Sequence, residues 1–412
     1  MIQAGSASRN PLEGRRVALG VTGSIAAYKA VGIASALTQQ GALVDVVMTP
    51  EATRLVQPLS FGAITHRAAA ADMFELDAEG GIRHVTIGRA AEIFVVAPAT
   101  AHSIAKLALG LADDMVSATA LSCAAPGVLA PAMESNMWRH PATQEHVQTL
   151  RQRGWTVVEP EVGHLASGAI GEGRLADPEA IVGAVKQVLG RDGDLAGWRV
   201  AVTAGGTREP LDPVRYISNR SSGKMGYAIA ESARDRGATV TLITSASLPT
   251  PFGLRLVEVE QAVEMRDAVL SVLPDVDALV MAAAVADYRP VVAAAQKIKK
   301  SGDRLSVDLT LTPDILEEVM ESRRDGEGPI VVGFAAETGD LVANARKKLQ
   351  AKQLDLVVAN DVSIDGSGFA SDFNKVVILR RDASKSELPL LPKIEVAHRL
   401  WDEVLSLRAQ RG

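Results

Sequence analysis

The sequence is poor in cysteine, in aromatic residues, in positive charge and in long apolar runs. Its single cysteine, Cys123, excludes an intramolecular disulfide and suits a reducing cytosol. Aromatic residues make up 4% of the 412 residues, which argues against stacking platforms for single-stranded nucleic acid. The net charge of −6 leaves no global footprint for nucleic acid or an anionic membrane. No apolar run reaches the roughly 18 residues that a membrane span needs. The opening residues, MIQAGSASRNPLEGRR, lack an apolar h-region and do not read as a signal peptide. What remains is 47% apolar and 22% charged residues, a soluble, cytoplasmic profile long enough for two or three domains.

Two segments open alike. GRRVALGVTG (14–23) reads as a buried strand ending in glycine, followed by a helical pattern over 25–40 and a second strand over 42–49. GWRVAVTAGG (197–206) repeats the opening, with a helix over about 223–236 and a strand over 238–245 after a long loop. Continuous apolar strands alternating with helices are the mark of a parallel sheet covered on both faces. Further strands are expected at 92–98, 127–133, 278–286, 329–337 and 355–361. The polar, glycine-rich GRDGDLAG (190–197) separates two Rossmann-like α/β domains, 1–190 and 191–412. Ligands of such sheets bind beyond the carboxyl ends of the strands.

In the first half, GSIAAYK places Gly23 and Ser24 at a helix start, where amides and the helix dipole favour an anion. A plain N-cap role for Ser24 is an equal reading. VMTPEAT, APATAHSIAKLA and APAMESNMW each end a strand in proline or hydroxyl residues. Taken in order with His84 in HVTIG, these motifs resemble the flavin-containing cysteine decarboxylases, the phosphopantothenoylcysteine decarboxylase type among them. The resemblance spans about residues 15–180 and implies a flavodoxin-like domain that binds FMN. It implies contacts from Gly23, Ser24, Ile25 and Thr49, and from the loop Pro98, Ala99, Thr100 and Ala101. It makes His84 catalytic and Met133 a substrate contact, while Asn136 and His102 are the candidates to take the place of the family asparagine at position 134. The chemistry suits a flavin: oxidising the cysteinyl thiol to a thioaldehyde gives the departing carboxylate's electrons a sink.

Two positions depart from the family pattern. Glu134 stands where the family has an asparagine that helps hold the substrate carboxylate, and a Glu repels it unless protonated or turned away. Ser167 stands at the family's proton-donating cysteine. A hydroxyl can relay a proton but is far less acidic than a thiol of pKa about 8.5. These departures motivate a second reading, a ligase-only enzyme whose flavin-binding domain is a scaffold.

In the second half, VRYISNRSSGKMG (214–226) joins a strand to a helix through a loop running from Gly205 to Gly223, far beyond the usual 4–6 residues. With AAAVADYRP, KIKK, TPDIL, GFAAET and ANDV it resembles phosphopantothenate–cysteine ligase over about 197–380. The resemblance implies that a carboxylate is activated on CTP and then attacked by the amine of cysteine. Asn219 and Lys297 are the implied catalytic residues, with Arg215, Asn219 and Ala284 on the pantothenate side. Asp287, Lys297, Pro313, Asp314, Ile315, Leu316, Phe334, Lys348 and Lys352 are the implied CTP contacts, with magnesium held mainly by the phosphates. Together the halves imply consecutive steps toward coenzyme A and a homo-oligomer, a dodecamer by family analogy. Neither opening loop reads G-x-G-x-x-G, which argues against an NAD(P) dehydrogenase.

Overall fold

The computed structural model describes residues 9–77, 80–300, 305–323, 328–337, 340–361, 371–382 and 384–411. The chain forms two compact units, Met1–Arg191 and Asp192–Gly412.

The first unit is built on five parallel strands: β1 (Arg16–Val21), β2 (Leu43–Met48), β3 (Ile93–Ala99), β4 (Gly127–Pro131) and β5 (Thr156–Val157). Their order, β2-β1-β3-β4-β5, is the flavodoxin-like one, with its switch point between β1 and β3. Every residue of β3 and β4 is buried, which is why these strands read as unbroken apolar runs. One face of the sheet packs Phe94, Leu129, Ile104 and Met115 into a shared core.

The second unit carries an eight-stranded sheet. Its parallel part runs Arg255–Glu258, Thr239–Thr244, Arg199–Ala204, Ala278–Met281, Ile330–Glu337 and Leu356–Asp361. In chain order that is 3-2-1-4-5-6, the Rossmann arrangement. Two antiparallel strands, Val376–Arg380 and Lys385–Glu387, extend one edge and were not expected. The run over 278–286 is also corrected: only Ala278–Met281 is strand. Beyond it, hydroxyls and a loop carbonyl take over the amides. Ala283 N–H donates to Thr203 Oγ1 at 3.1 Å, Ala284 N–H to Gly205 O at 2.8 Å and Ala286 N–H to Thr207 Oγ1 at 2.9 Å. An apolar segment thus leaves the sheet at the switch point.

The helix Lys224–Arg234 lies against Arg199–Ala204 through Gly226. A Cβ there would meet Ala204 Cβ at 2.6 Å and Thr203 O at 2.8 Å. Gly226→Ala gains about 1 kcal/mol of helix propensity, but overpacking against backbone costs ~1–3 kcal/mol. The expected result is a lower melting temperature by calorimetry; a raised one would show that helix and strand can part without loss.

Candidate active sites

In the first unit, the loops after three strands are tied together. Thr22, fully buried, donates to Pro98 O at 2.7 Å and accepts from Thr100 N–H at 3.0 Å. Ser24 donates to Ala132 O at 3.1 Å and accepts from Ala26 N–H at 3.3 Å. The helix itself starts at Ala27, with Ala26 at its N-cap and no side-chain cap. Ser24 is therefore a cross-loop tie and not the helix cap. Thr49 and Thr100 do cap, accepting from Ala52 N–H and Ser103 N–H. Gly23 lets this loop pass the short helix Pro50–Thr53, since a Cβ there would lie 2.5 Å from Glu51 Cβ. Gly23, Ser24, Ile25 and Pro98 to Ala101 thus share one rim, built from β1 and β3 and tied to the end of β4.

The loop after β4 carries Met133 to Asn136. Glu134 caps the helix Ser135–Arg139, its carboxylate accepting from Asn136 N–H at 2.6 Å. The charge expected to repel a substrate carboxylate is thereby turned back onto a helix N-terminus, where it is stabilised. The exposed side chain of Asn136 stands beside it. A hairpin, Glu161–His164 with Ile170–Arg174, docks on this loop: Met133 N–H donates to Gly173 O at 2.9 Å and Ser135 Oγ to Glu172 O at 2.7 Å. Ser167 occupies the exposed tip of that hairpin.

His84 is held by a different element, the helix Arg83–Ala90. That helix is clamped to Met115–Ser122: Ser122 Oγ donates to His84 O at 2.9 Å, and Gly88 leaves no room for a Cβ beside Thr119 O. The imidazole Nδ1 is buried and has no hydrogen-bond partner among the described residues. Cys123, half-buried, has its thiol pushed up by burial.

In the second unit, one cavity of about 780 Å³ opens at the switch point. Asn219, Ala284, Asp287, the run Pro313–Leu316, Phe334, Lys348 and Lys352 all line it. Asn219 Nδ2 donates to Val285 O at 2.9 Å and so ties the long loop to the segment leaving the sheet. Asp314 caps the helix Ile315–Glu321, accepting from Glu317 N–H. Lys352 Nζ reaches Asp314 at 2.6 Å and Glu317 at 3.2 Å. Burial raises the Asp314 carboxyl, but Lys352 and the Glu317 amide outweigh it and leave it below the usual range. Lys348 Nζ donates to Phe334 O at 2.7 Å.

Arg215 and Lys297 do not line the cavity. Arg215 forks onto buried Asp212 at 3.0 and 2.6 Å and donates to Ile298 O at 3.0 Å. Asp212 also accepts from Ile298 N–H at 3.1 Å. Arg215, joined by backbone amides, holds the Asp212 carboxyl well below its ordinary range. The neighbouring Lys297 is exposed. Residues missed in the sequence also line the cavity: Met225, Asn374 and Lys393. No motif marks the last two, which come from segments distant in sequence. Thr338 and Val362, the ends of GFAAET and ANDV, lie outside the described residues.

The fold defines a flavodoxin-like unit followed by a Rossmann-like unit with a cleft at its switch point. Residues 5–190 match the Flavoprotein family, and residues 195–407 the DNA/pantothenate metabolism flavoprotein C-terminal domain family. The chain is 44% identical over 405 residues to the coenzyme A biosynthesis bifunctional protein CoaBC of Bacillus subtilis, covering 97% of this chain and 99% of that one. Its identity to the protein of that name from Mycolicibacterium smegmatis is 43% over 417 residues, covering 97% and 99%. A solved C-terminal domain of a CoaBC protein is 38% identical over 52% of this chain and 97% of that one, with a TM-score of 0.44. The chain belongs to the family of coenzyme A biosynthesis bifunctional proteins.

Proposed function

We propose that the second unit joins cysteine to 4′-phosphopantothenate at the expense of CTP, and that the first unit decarboxylates the product to 4′-phosphopantetheine with FMN. The observation that carries the ligase half is the gathering of Asn219, Asp287, Asp314, Phe334, Lys348 and Lys352 around one cavity. A carboxylate is a poor acyl donor until its oxygen is converted to a leaving group. Attack on the α-phosphate of CTP does this, and the amine of cysteine then displaces CMP. Lys348 and Lys352 neutralise phosphate charge together with Mg²⁺, and Asn219 orients the carboxylate; catalysis is chiefly positioning and charge stabilisation. Lys352 then exchanges its carboxylate partners for phosphate oxygens.

The decarboxylase half rests on the tied rim and on His84. The rim formed by Gly23 to Ile25 and Pro98 to Ala101, with Thr49, suits an anionic cofactor phosphate because it carries no charged side chain and includes the start of the helix Ala101–Leu109. FMN, when bound, supplies the hydride acceptor and donor that makes decarboxylation feasible. His84 Nδ1, buried and without a hydrogen-bond partner among the described residues, is the atom that takes the thiol proton. Asn136 receives the substrate carboxylate, with Glu134 turned away, and Ser167 relays the final proton from water. A homo-oligomer in the cytosol and magnesium on the nucleotide complete this reading.

Mass spectrometry after incubation with phosphopantothenate, cysteine, CTP and Mg²⁺ tests both halves. Phosphopantetheine is the expected product. Accumulated phosphopantothenoylcysteine would sink the decarboxylase half, and unchanged phosphopantothenate the ligase half.

A further inference from the structure

The cavity of the second unit has a wall that the ligase reading does not use. Lys393, the first residue of the helix Lys393–Arg411, is 6% exposed, and Asn374 is 3% exposed. The Lys393 ammonium donates to Ser371 O, to Phe373 O at 3.2 Å and to Asn374 Oδ1 at 3.0 Å. An ammonium has three donors and no acceptor, so all three are spent on neutral oxygens of one short segment. Burial draws Lys393 down to about 8, Lys224 adds to this, and Asp372 opposes it; Lys224 and Asp372 are themselves paired at 2.6 Å.

The ammonium also fixes the Asn374 amide. Because Lys393 can only donate, the amide oxygen must face it and the NH₂ must point away. There it meets Met225 Sδ at 3.4 Å. A thioether is a weak acceptor, so a buried amide donor in the cavity wall is left poorly compensated. Met225 lies in the first turn of the helix Lys224–Arg234 and lines the same cavity as Ser221, Ser222 and Gly223. A poorly compensated amide donor in the wall of a cleft whose substrates are anions calls for an oxygen acceptor from the ligand.

We propose that Asn374 binds substrate, donating its amide to a phosphate oxygen, and that Lys393 is the positioning residue that sets this amide. The inference rests on the ligase reading. It does not decide between the triphosphate of the nucleotide and the 4′-phosphate of phosphopantothenate, which share this chemistry.

Asn374→Asp separates this role from a merely structural one. A carboxylate beside Lys393 keeps the shape and gains an ion pair, so the melting temperature should hold. The same change removes both donors and places negative charge against a phosphate. We expect KM for one of the two phosphate-bearing substrates to rise about tenfold to a hundredfold, the range of a lost hydrogen bond to a charged group, with a smaller fall in kcat. The substrate whose KM moves owns the phosphate. Lys393→Met should raise the same KM, yet add little on an Asn374→Ala background, because it acts through that amide. KM values within twofold of the parent for both substrates in Asn374→Asp overturn the proposal. So does an additive Lys393→Met effect. If the parent enzyme itself forms no ligated product, the ligase reading falls, and this inference with it.

Discussion

His84→Asn should stop the pathway at phosphopantothenoylcysteine. A positioned general base contributes about 10²–10⁴-fold, so phosphopantetheine formation should fall by at least two orders of magnitude while ligation continues. The substitution is mild by design. The His84 backbone carbonyl, which accepts from Ser122 Oγ, stays in place in the variant. Its side-chain Nδ1 has no partner among the described residues, so the variant loses no hydrogen bond at that atom there. The melting temperature and the bound flavin spectrum should therefore match the parent, and only the second product should vanish. Undiminished phosphopantetheine formation would remove His84 from the chemistry. A collapse of both activities would instead show that the helix Arg83–Ala90 depends on the ring.

The architecture was legible where physics acts locally. Strands buried on both faces, such as β3 and the stretch Leu356–Ala359, announce themselves as apolar runs. Asp314 and Thr100, implied as ligand contacts, also cap their helices, and such caps are local because a cap needs only its own turn. The sequence misled where an apolar run leaves the sheet. Ala282–Ala286 looks like strand, yet its amides are claimed by Thr203, Gly205 and Thr207, some 80 residues earlier in the chain. Ser24 failed as a cap for the same reason: its hydroxyl is claimed by Ala132, 108 residues away. Glu134 shows the reverse. Its charge looked hostile to a carboxylate substrate, and only the fold reveals a local cap that absorbs it. Asn374 and Lys393 were invisible because neither lies in a motif; one follows a core strand and the other starts the last helix, and only the tertiary fold makes them neighbours.

Lys297→Gln should lower kcat for ligation by about 10²–10³-fold, the loss seen when one preorganised group that stabilises transition-state charge is removed. The reacting partners are both anions, a carboxylate and a nucleotide phosphate. Their transition state gathers negative charge that a nearby ammonium must meet. Lys297 is exposed and outside the cavity wall, so it contributes little to holding CTP in the ground state. Its effect should therefore appear in kcat, with KM for CTP changed only a few-fold. The backbone beside it is anchored on both sides. Ile298 N–H donates to Asp212, and Ile298 O accepts from Arg215. Asp212→Asn weakens that anchor and should produce a smaller loss of the same kind, in kcat and not in KM. The anchor is also robust to acid. Arg215 depresses the Asp212 carboxyl, so its contribution is complete above the unfolded carboxylate pKa near 3.9 and is lost only as pH falls toward the folded value. A fall in ligation between pH 8 and 6 thus cannot be assigned to Asp212. A large rise in KM for CTP with kcat preserved in Lys297→Gln would make this lysine a ground-state nucleotide ligand, and Lys348 and Lys352, which line the cavity, would then be the cations to test for transition-state charge.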